Sequence, residues 1–285
     1  MPYFLVTFTL PHTLNPTAHS NQKLLYSLLF KASSEALQTL ARHPDFLGGK
    51  LGMVGVLHTW TRNMGYHLHI HYLIPAGGVA PKTGQWTPSH PKFLLPISAL
   101  QKVFRAKFRD ALKDADPTLF AQVPKATWTK KWVVHSKPVG DGRKALKYLA
   151  PYVYRVAISN RRLVSMHNGK VTFRYKPNNA PWKTMTLDVM SFIRRFLQHV
   201  LPKGFQKVRY FGFLHPSAKK TFTALQQQLN AAARQNIPSP ANLSREDQVS
   251  ENTPIHKTPI CCPQCGGALA YIGRFSPRLN TRGPP

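Results

Sequence analysis

Apolar and polar residues alternate in three stretches of the first quarter of the chain. Because successive side chains of a β-strand point to opposite faces, this alternation predicts strands over 3–10, 51–60 and 66–74. The five residues Thr61–Gly65 separate the second and third stretches. We therefore expect these two strands to pair as an antiparallel hairpin.

The third predicted strand carries histidine at every second position. His67, His69 and His71 therefore share one face, roughly 7 Å apart along the strand, while the apolar residues between them face a core. Imidazoles at this spacing can converge on one metal ion. The alternative interpretation is a half-buried strand whose solvated face happens to be histidine, but three histidines in register favour the metal site.

Apolar residues at helical spacing predict amphipathic helices between and after these strands. The predicted helices cover 21–40, 97–112, a segment that begins after Asp141 and carries Tyr148 and Tyr152, 189–200, and 217–235. In the helix over 189–200, the apolar residues expected to face inward are Phe192, Ile193, Phe196 and Leu197. Since these helices separate or follow strands, we expect them to pack on a sheet.

A basic β-hairpin is predicted over 161–175. Its turn is Asn168-Gly169, a pair that favours the type I′ geometry of tight hairpins. Aromatic residues alternate with basic ones along this ribbon, and a further strand is expected over 182–187. The basic side chains around the turn make the hairpin a candidate DNA-contacting element; they include Arg161, Arg162, Lys170 and Arg174.

Together these elements predict an α+β fold. A central antiparallel β-sheet carries the histidines, helices pack on it, and a basic β-hairpin and helical extension follows. We expect the helix with the two tyrosines to lie across the histidine face. The predicted parts are a catalytic domain over 1–160, a DNA-contacting extension over 161–236, a Pro/Ser/Asn-rich linker over 237–259 and a tail with a C-x-x-C motif over 260–285.

The charge of the chain limits the classes of molecule that it can bind. Thirty-nine Lys and Arg against ten Asp and Glu give a formal charge of +29, which indicates a polyanion. The basic residues are spread along the chain, and no apolar run approaches the roughly 20 residues of a membrane span, so nucleic acid is preferred. The first strand lacks the charged leader of a signal peptide, and the only cysteines lie near the C-terminus, which agrees with the cytosol.

A basic protein with a metal site suggests phosphodiester chemistry. Two-metal nucleases hold their cations with several carboxylates, yet there is no Asp or Glu between Asp45 and Asp110, the region of the histidines. One metal held by imidazoles therefore fits better. By ligand softness alone, such a site ranks Zn, Ni or Mn above Mg.

Two tyrosines are the candidate nucleophiles. Tyr148 and Tyr152 stand four residues apart, so on a regular helix their side chains project from one face. A tyrosine that attacks DNA stores the phosphodiester as a phosphotyrosine, and two tyrosines allow two successive strand transfers. The alternative is that both are core or surface aromatics of an amphipathic helix.

Several strings of this sequence match a known family. They are His69-Ile70-His71, preceded by His67; Tyr148-Leu149-Ala150-Pro151-Tyr152, which runs on through Arg155 to Leu163; Val56 to Trp60; Trp182 to Leu187; and Phe192 to Pro202. On these strings the chain resembles the two-tyrosine HUH transposases of bacterial insertion sequences, insertion sequence family ninety-one. The resemblance covers roughly Pro2 to Pro216.

The resemblance implies an HUH endonuclease-like fold and an enzyme that cuts and rejoins single-stranded DNA at element ends. The reaction would be rolling-circle-like, with Tyr148 and Tyr152 forming 5′-phosphotyrosine intermediates and the paired histidines His69 and His71 binding one Mg or Mn. A third ligand is usual in the superfamily. His58 on the neighbouring strand is the candidate if the hairpin register turns it to the same face, and His67 is a neighbour of the site.

Further expectations follow from the resemblance. The DNA-binding candidates implied by the hairpin and the family-like string are Arg155, Arg161, Arg162, Lys170 and Arg174. A transposase of this kind would act in the bacterial cytoplasm, on the nucleoid. The alternatives are an inactive or truncated DNA-binding remnant, and a plasmid replication initiator or relaxase with the same chemistry.

The sequence departs from the family pattern in three places. Pro151 lies between the tyrosines and removes a helix hydrogen bond. The cysteine-rich zinc module with which members commonly begin is lacking before the strand that starts at Tyr3. Cys262 and Cys265 have C-x-x-C spacing but form half a zinc ribbon, so a structural zinc and a free-thiol tail are equal alternatives.

Overall fold

A computed structural model describes residues 1–154, 157–177 and 180–235 of the chain. Within these ranges, only the backbone is described at positions 145, 148, 149, 151, 152, 154 and 233–235. The described residues belong to one compact unit that spans Met1–Ile237. Among them, no helix has both the length and the apolar character that a membrane crossing requires.

Strands and helices are mixed along the chain, as the alternating and helical patterns predict. The strands of the described part are β1 (Pro2–Thr9), β2 (Met53–Trp60), β3 (Tyr66–Pro75), β4 (Gly77–Val79), β5 (Trp86–Pro88), β6 (Val133–Asp141), β7 (Leu163–His167), β8 (Lys170–Tyr175), β9 (Lys183–Asp188) and β10 (Val208–Phe211). The helices there are α1 (Asn15–Ser20), α2 (Gln22–Arg42), α3 (Ile97–Ala115), α4 (Pro117–Gln122), α5 (Ala126–Thr129), α6 (Gly142–Tyr154), α7 (Val189–Leu197) and α8 (Lys219–Gln235).

The main sheet has five strands in the order β10-β2-β3-β1-β6, and all neighbouring strands are antiparallel. Strand β3, which carries the histidines, is therefore central. The hairpin of β2 and β3 is connected by Thr61–Gly65, as the sequence predicts. The α+β fold class with a central antiparallel sheet is confirmed.

One face of the main sheet packs against α2 and α3. Alternate residues of β1 are fully buried on this face, among them Phe8, whose ring contacts those of Phe104 on α3 at 4.9 Å and Tyr72 on β3 at 5.9 Å. Trp132 closes the same cluster against Phe104 at 5.0 Å. Burial of each such ring stabilises the fold by about 1.5–3 kcal/mol. The core thus occupies one face of the sheet and leaves the histidine face for other elements.

A second sheet follows helix α6, with the order β7-β8-β9. Strands β7 and β8 form the predicted basic hairpin, and the turn residues Asn168 and Gly169 both have positive φ, 49° and 67°, as a type I′ turn requires. Helix α7 packs on this sheet through Phe192, whose ring contacts Phe173 at 5.9 Å. Both the hairpin and its turn are confirmed.

The inward orientation predicted for the residues of α7 is wrong in part. Phe192 packs inward, but Ile193 is 40% exposed, Leu197 is 56% exposed, and Phe196 lines a surface cavity. The helix is shorter than predicted, because it ends at Leu197. A helix of this length can bury only part of a broad apolar face against a three-stranded sheet.

Candidate metal centre

The register of the β2–β3 hairpin places three histidines side by side. His58 lies directly opposite His69, and Val56 lies opposite His71. Directly opposed residues of an antiparallel pair share a face, so His58 joins His69 and His71 on the face away from α2 and α3. The hairpin therefore has the register that turns His58 to the face of His69 and His71.

The three imidazoles lie close enough to share a cation. Their ring centroids are 4.8 Å apart for His69 and His71, 4.9 Å for His58 and His71, and 5.2 Å for His58 and His69. Their ligand atoms all lie within 4.8 Å of one another, and this cluster could hold a metal ion. His67 stands beside the cluster, 5.1 Å from the His69 ring, but does not belong to this group of three.

Hydrogen bonds orient two of the rings. Nδ1 of His69 lies 3.0 Å from the backbone oxygen of His67. Because a carbonyl oxygen only accepts, Nδ1 carries the proton and Nε2 carries the lone pair that a metal needs. Nδ1 of His71 lies 2.9 Å from the hydroxyl oxygen of Thr7 on β1. Each ring is thus held by a partner that does not belong to the group of three.

The surroundings keep these imidazoles neutral. Burial lowers the pKa of His69 to about 3, with a further contribution from the neighbouring His71. Burial also lowers the pKa of His71 to about 3, helped by His58 and by the positive charge of Lys137. Since only the neutral ring binds a metal, His69 and His71 stay in their binding form at neutral pH.

The donor set suits one divalent metal. Three imidazole nitrogens without a carboxylate are typical ligands of borderline metals such as Zn or Ni; Mn binds imidazole less strongly than these metals, and Mg prefers oxygen ligands. Among the described residues, the group that could hold a metal consists of histidines alone. The residues present therefore fit Mn better than Mg.

Helix α6 lies on the histidine face of the sheet. It begins after Asp141, whose carboxylate accepts a hydrogen bond of 2.9 Å from the backbone N–H of Lys144. Further along the helix, Val153 packs against Val56 and Leu73, which lie on the same sheet face as the histidines. The helix also contacts β1 and β6. Its predicted place across the histidine face is therefore the observed one.

The two tyrosines belong to this helix. Helix α6 covers positions 148 and 152 and continues across Pro151 between them. The side chains of Tyr148 and Tyr152 lie outside the described residues.

The basic residues predicted to contact DNA have different surroundings. Arg161 and Lys170 are exposed. Arg162 donates hydrogen bonds to the backbone oxygens of Arg174, at 2.9 Å, and of Arg62 in the β2–β3 connection, so it ties the second sheet to the histidine hairpin. The guanidinium of Arg174 lies 5.3 Å above the Trp182 ring. The remaining candidates lie outside the described residues; they are Arg155, Cys262 and Cys265.

Two residues near the cluster were not predicted. Thr7 bonds His71 from β1, and Lys137 on β6 is close enough to His71 to influence its charge. A signal for Thr7 exists in the sequence, because it is polar at an alternate position of an apolar strand. The pairing of β1 with β3, which brings Thr7 next to His71, is a long-range contact that the alternating pattern does not predict.

The chain is similar to known transposases. A family model described as "putative transposase" matches residues 52–221, which include the histidine hairpin and helix α6. The chain is 40% identical over 231 residues to "putative transposase y4qJ" of Sinorhizobium fredii, which covers 74% of this chain and 58% of that protein. It is 26% identical over 293 residues to the transposase for insertion sequence element IS801 of Pseudomonas savastanoi pv. phaseolicola, which covers 96% of this chain and 68% of that protein.

No solved structure shows a significant match. The chain spans 58% of the length of the Sinorhizobium relative. The family match covers more than half of the chain and agrees with the similarity to both relatives. The chain therefore belongs to the transposases of insertion sequence family ninety-one.

Proposed function

We propose that this protein is a metal-dependent transposase that cuts and rejoins single-stranded DNA at the ends of an insertion sequence. The observation that carries the proposal is the packing of helix α6, through Val153, on the face that holds the histidine cluster. That contact brings the helix with Tyr148 and Tyr152 to the same side of the sheet as the three imidazoles. Membership of the transposase family supports the reaction class.

The histidine cluster would hold one divalent metal, with His69 and His71 as principal ligands and His58 as the third. We assign Mn or Mg to the site, Mn on its donor set and Mg on the family resemblance. A bound cation would supply Lewis-acid polarisation of the scissile phosphate. Thr7 and the His67 carbonyl would hold the rings of His71 and His69 in a fixed orientation for that ion.

The tyrosines supply the nucleophile. The phenol oxygen of Tyr148 or Tyr152 attacks the phosphorus, a tyrosine O–P bond forms, and the bond from phosphorus to the 3′ oxygen breaks. The 3′ oxygen takes a proton and leaves as a hydroxyl, while the 5′ phosphate stays on the tyrosine. Attack by the 3′ hydroxyl of another strand reverses these steps and rejoins DNA without an external energy source. Two tyrosines permit two such transfers, as rolling-circle transposition requires.

Basic side chains position the strand. The exposed Arg161 and Lys170 on and beside the β7–β8 hairpin are suited to phosphate contacts, and Arg155 belongs to the same proposal. Lys137 adds positive charge beside His71 on the histidine face. Positive charge there opposes the repulsion between the phosphate and a tyrosine that is losing its proton.

Covalent capture tests the proposal. The full chain is incubated with a single-stranded oligonucleotide that contains the element end and with Mn or Mg, and the products are separated under denaturing conditions. We expect a protein–DNA adduct that is lost in the double variant Tyr148→Phe with Tyr152→Phe. The matched control is Tyr210→Phe, an exposed tyrosine on β10, which should retain the adduct.

Two results would contradict the proposal. An adduct that persists in the double variant would show that the nucleophile is another residue. Binding of the oligonucleotide without any adduct, at every metal concentration, would indicate a DNA-binding protein that has no cleavage activity.

A further inference from the structure

A cavity opens at the edge of the main sheet, outside the histidine cluster. It has a volume of about 430 Å³ and is lined mainly by apolar and aromatic side chains, among them Trp60, Phe196, His199 and Phe205. Strand β10 pairs with β2 only from Met53 to Val56, and the last backbone bond at this edge runs from the N–H of Leu57 to the oxygen of Lys207. The cavity lies where β2 continues beyond that bond.

One wall of the cavity touches the metal site. The indole of Trp60 stacks on the imidazole of His58, with ring centroids 4.8 Å apart and planes inclined by 16°. The rings of Trp60 and His199 also lie close together, with centroids 6.2 Å apart and planes inclined by 69°. A group that enters the cavity and contacts Trp60 is therefore one ring away from a candidate metal ligand.

The cavity wall is held in place by hydrogen bonds. Nε2 of His199 lies 3.2 Å from the backbone oxygen of Met64, which only accepts, so this nitrogen carries the proton. Nδ1 of His199 then accepts from the hydroxyl of Thr59 at 3.1 Å. The ring also stacks on Tyr66, with planes inclined by 19°. The His199 ring of the wall is thus held in a fixed orientation.

The charge around the cavity selects its occupant. Lys207 lines the cavity, and the sequence contains no Asp or Glu between Asp188 and Glu246. Basic residues in the same part of the chain are Arg194, Arg195, Lys203, Lys207 and Arg209. A second copy of this chain, with a formal charge of +29, would be repelled. The aromatic lining favours a flat apolar group, and the basic surroundings favour a negative charge. A ligand that joins the two fits the cavity.

We propose that this cavity binds one unstacked base of a single-stranded nucleic acid, with the adjoining phosphate at Lys207. The inference rests on the proposed function, because it assumes that the protein acts on single-stranded DNA. It adds a binding site for one base next to the cleavage site. Bases stack on aromatic side chains whatever their sequence. A paired base is held in its duplex and must first be extruded, so the cavity would make the protein select unpaired strands.

Photo-crosslinking tests this assignment. A short single-stranded oligonucleotide with one 5-iododeoxyuridine is bound to the full chain in buffer without divalent metal and irradiated, and the crosslinked peptides are identified by mass spectrometry. We expect crosslinks in the peptides that contain Trp60, Phe196 or Phe205. The same oligonucleotide in a duplex should give at least about tenfold less crosslinking, as expected for a base that must leave its stack.

A cavity-filling variant gives the matched comparison. Val200 lines the cavity and is 54% exposed, so Val200→Trp should fill the opening and reduce these crosslinks about tenfold without disturbing the core. The control is Met190→Trp, which adds the same side chain at a 70% exposed position of α7 that is not part of the lining. Thermal melting checks that both variants remain folded.

The inference is overturned if the crosslinks map to other peptides or persist undiminished in Val200→Trp. It is also overturned if no crosslink forms and Val200→Trp changes the oligomeric mass, which would make the cavity a protein-docking site. The adduct assay separates the two proposals. Crosslinks in the cavity without adducts would contradict the transposase activity alone, and adducts without cavity crosslinks would contradict the base site alone.

Discussion

Single residues outside the histidine cluster control its geometry, and Thr7 is the clearest case. If Nε2 of His71 binds the metal, its Nδ1–H must donate to the Thr7 hydroxyl, 2.9 Å away. Thr7→Val keeps the shape of the side chain but removes this acceptor. We expect the affinity for Mn, measured by calorimetric titration, to fall about 10–100-fold, the usual effect of losing such a partner.

Thr9→Val is the matched control for this measurement. Thr9 lies on the same face of β1, opposite His69, and the structure gives its hydroxyl no bond to a histidine among the described residues. The control should bind Mn like the unchanged protein, and Thr7→Ser should retain most of the affinity. Equal affinities in Thr7→Val and Thr9→Val would show that the hydroxyl does not orient His71.

At this scale, the sequence predicts what is local. Alternation within one strand places His69 and His71 on a common face, and the structure confirms it. The prediction of His58 depended on the hairpin register. The pattern of the strand does not fix this register, and a shift by one residue would turn the side chain away. Thr7 required the pairing of β1 with β3, a contact between segments far apart in the sequence.

Among the secondary structure elements, the edge strand β10 depends on one glycine. Gly212 follows β10 with φ of 59°, and a Cβ there would collide with the backbone oxygen of Leu51 and the amide of Gln38. That amide already bonds Leu51 in both directions, at 2.8 and 3.1 Å. We expect Gly212→Ala to lower the free energy of unfolding, measured with urea, by several kcal/mol.

Comparison with Gly169→Ala separates the cost of backbone strain from the cost of a steric clash. Gly169 also has positive φ, 67°, but nothing lies near the position of its missing Cβ. Its substitution should cost only about 1–2 kcal/mol, the price of a left-handed backbone for alanine. Equal losses in the two variants would mean that the contact with Leu51 does not hold the end of β10.

Helix α7 shows why an element can be predicted while its surroundings are not. The apolar pattern predicts the helix and an inward face, but it does not say how many partners that face has. Phe192 packs on Phe173, Phe196 lines the cavity, and Ile193 and Leu197 remain exposed. The cavity itself is formed by segments far apart in sequence, so no local pattern could have indicated it.

For the whole molecule, the net charge of +29 predicts binding that weakens steeply with salt. Each phosphate neutralised on a single strand contributes about 0.7 to the slope of log affinity against log salt. If Arg161 and Lys170 each contact a phosphate, replacing both with Gln should reduce the slope by about 1.4. Fluorescence anisotropy with a single-stranded oligonucleotide measures it.

The control for the salt experiment removes the same charge elsewhere. Lys102 and Lys113 lie on α3, which packs on the sheet face opposite the histidines. The double substitution of these lysines by Gln should leave the slope nearly unchanged. If both double variants lower the salt slope equally, DNA binding depends on the total charge of the protein and not on contacts with the β7–β8 hairpin.

The pairing of β10 with β2 also has a consequence for synthesis of the chain. Strands β1, β2 and β3 all lie within the first 75 residues, so the histidines can meet early on the ribosome. The outer edge of β2 stays unpaired until Val208–Phe211 emerges. An unpaired strand edge is a template for another chain. We therefore expect a pause in translation before that point to expose the nascent chain to aggregation through this edge, although the strands that carry the three histidines are already complete.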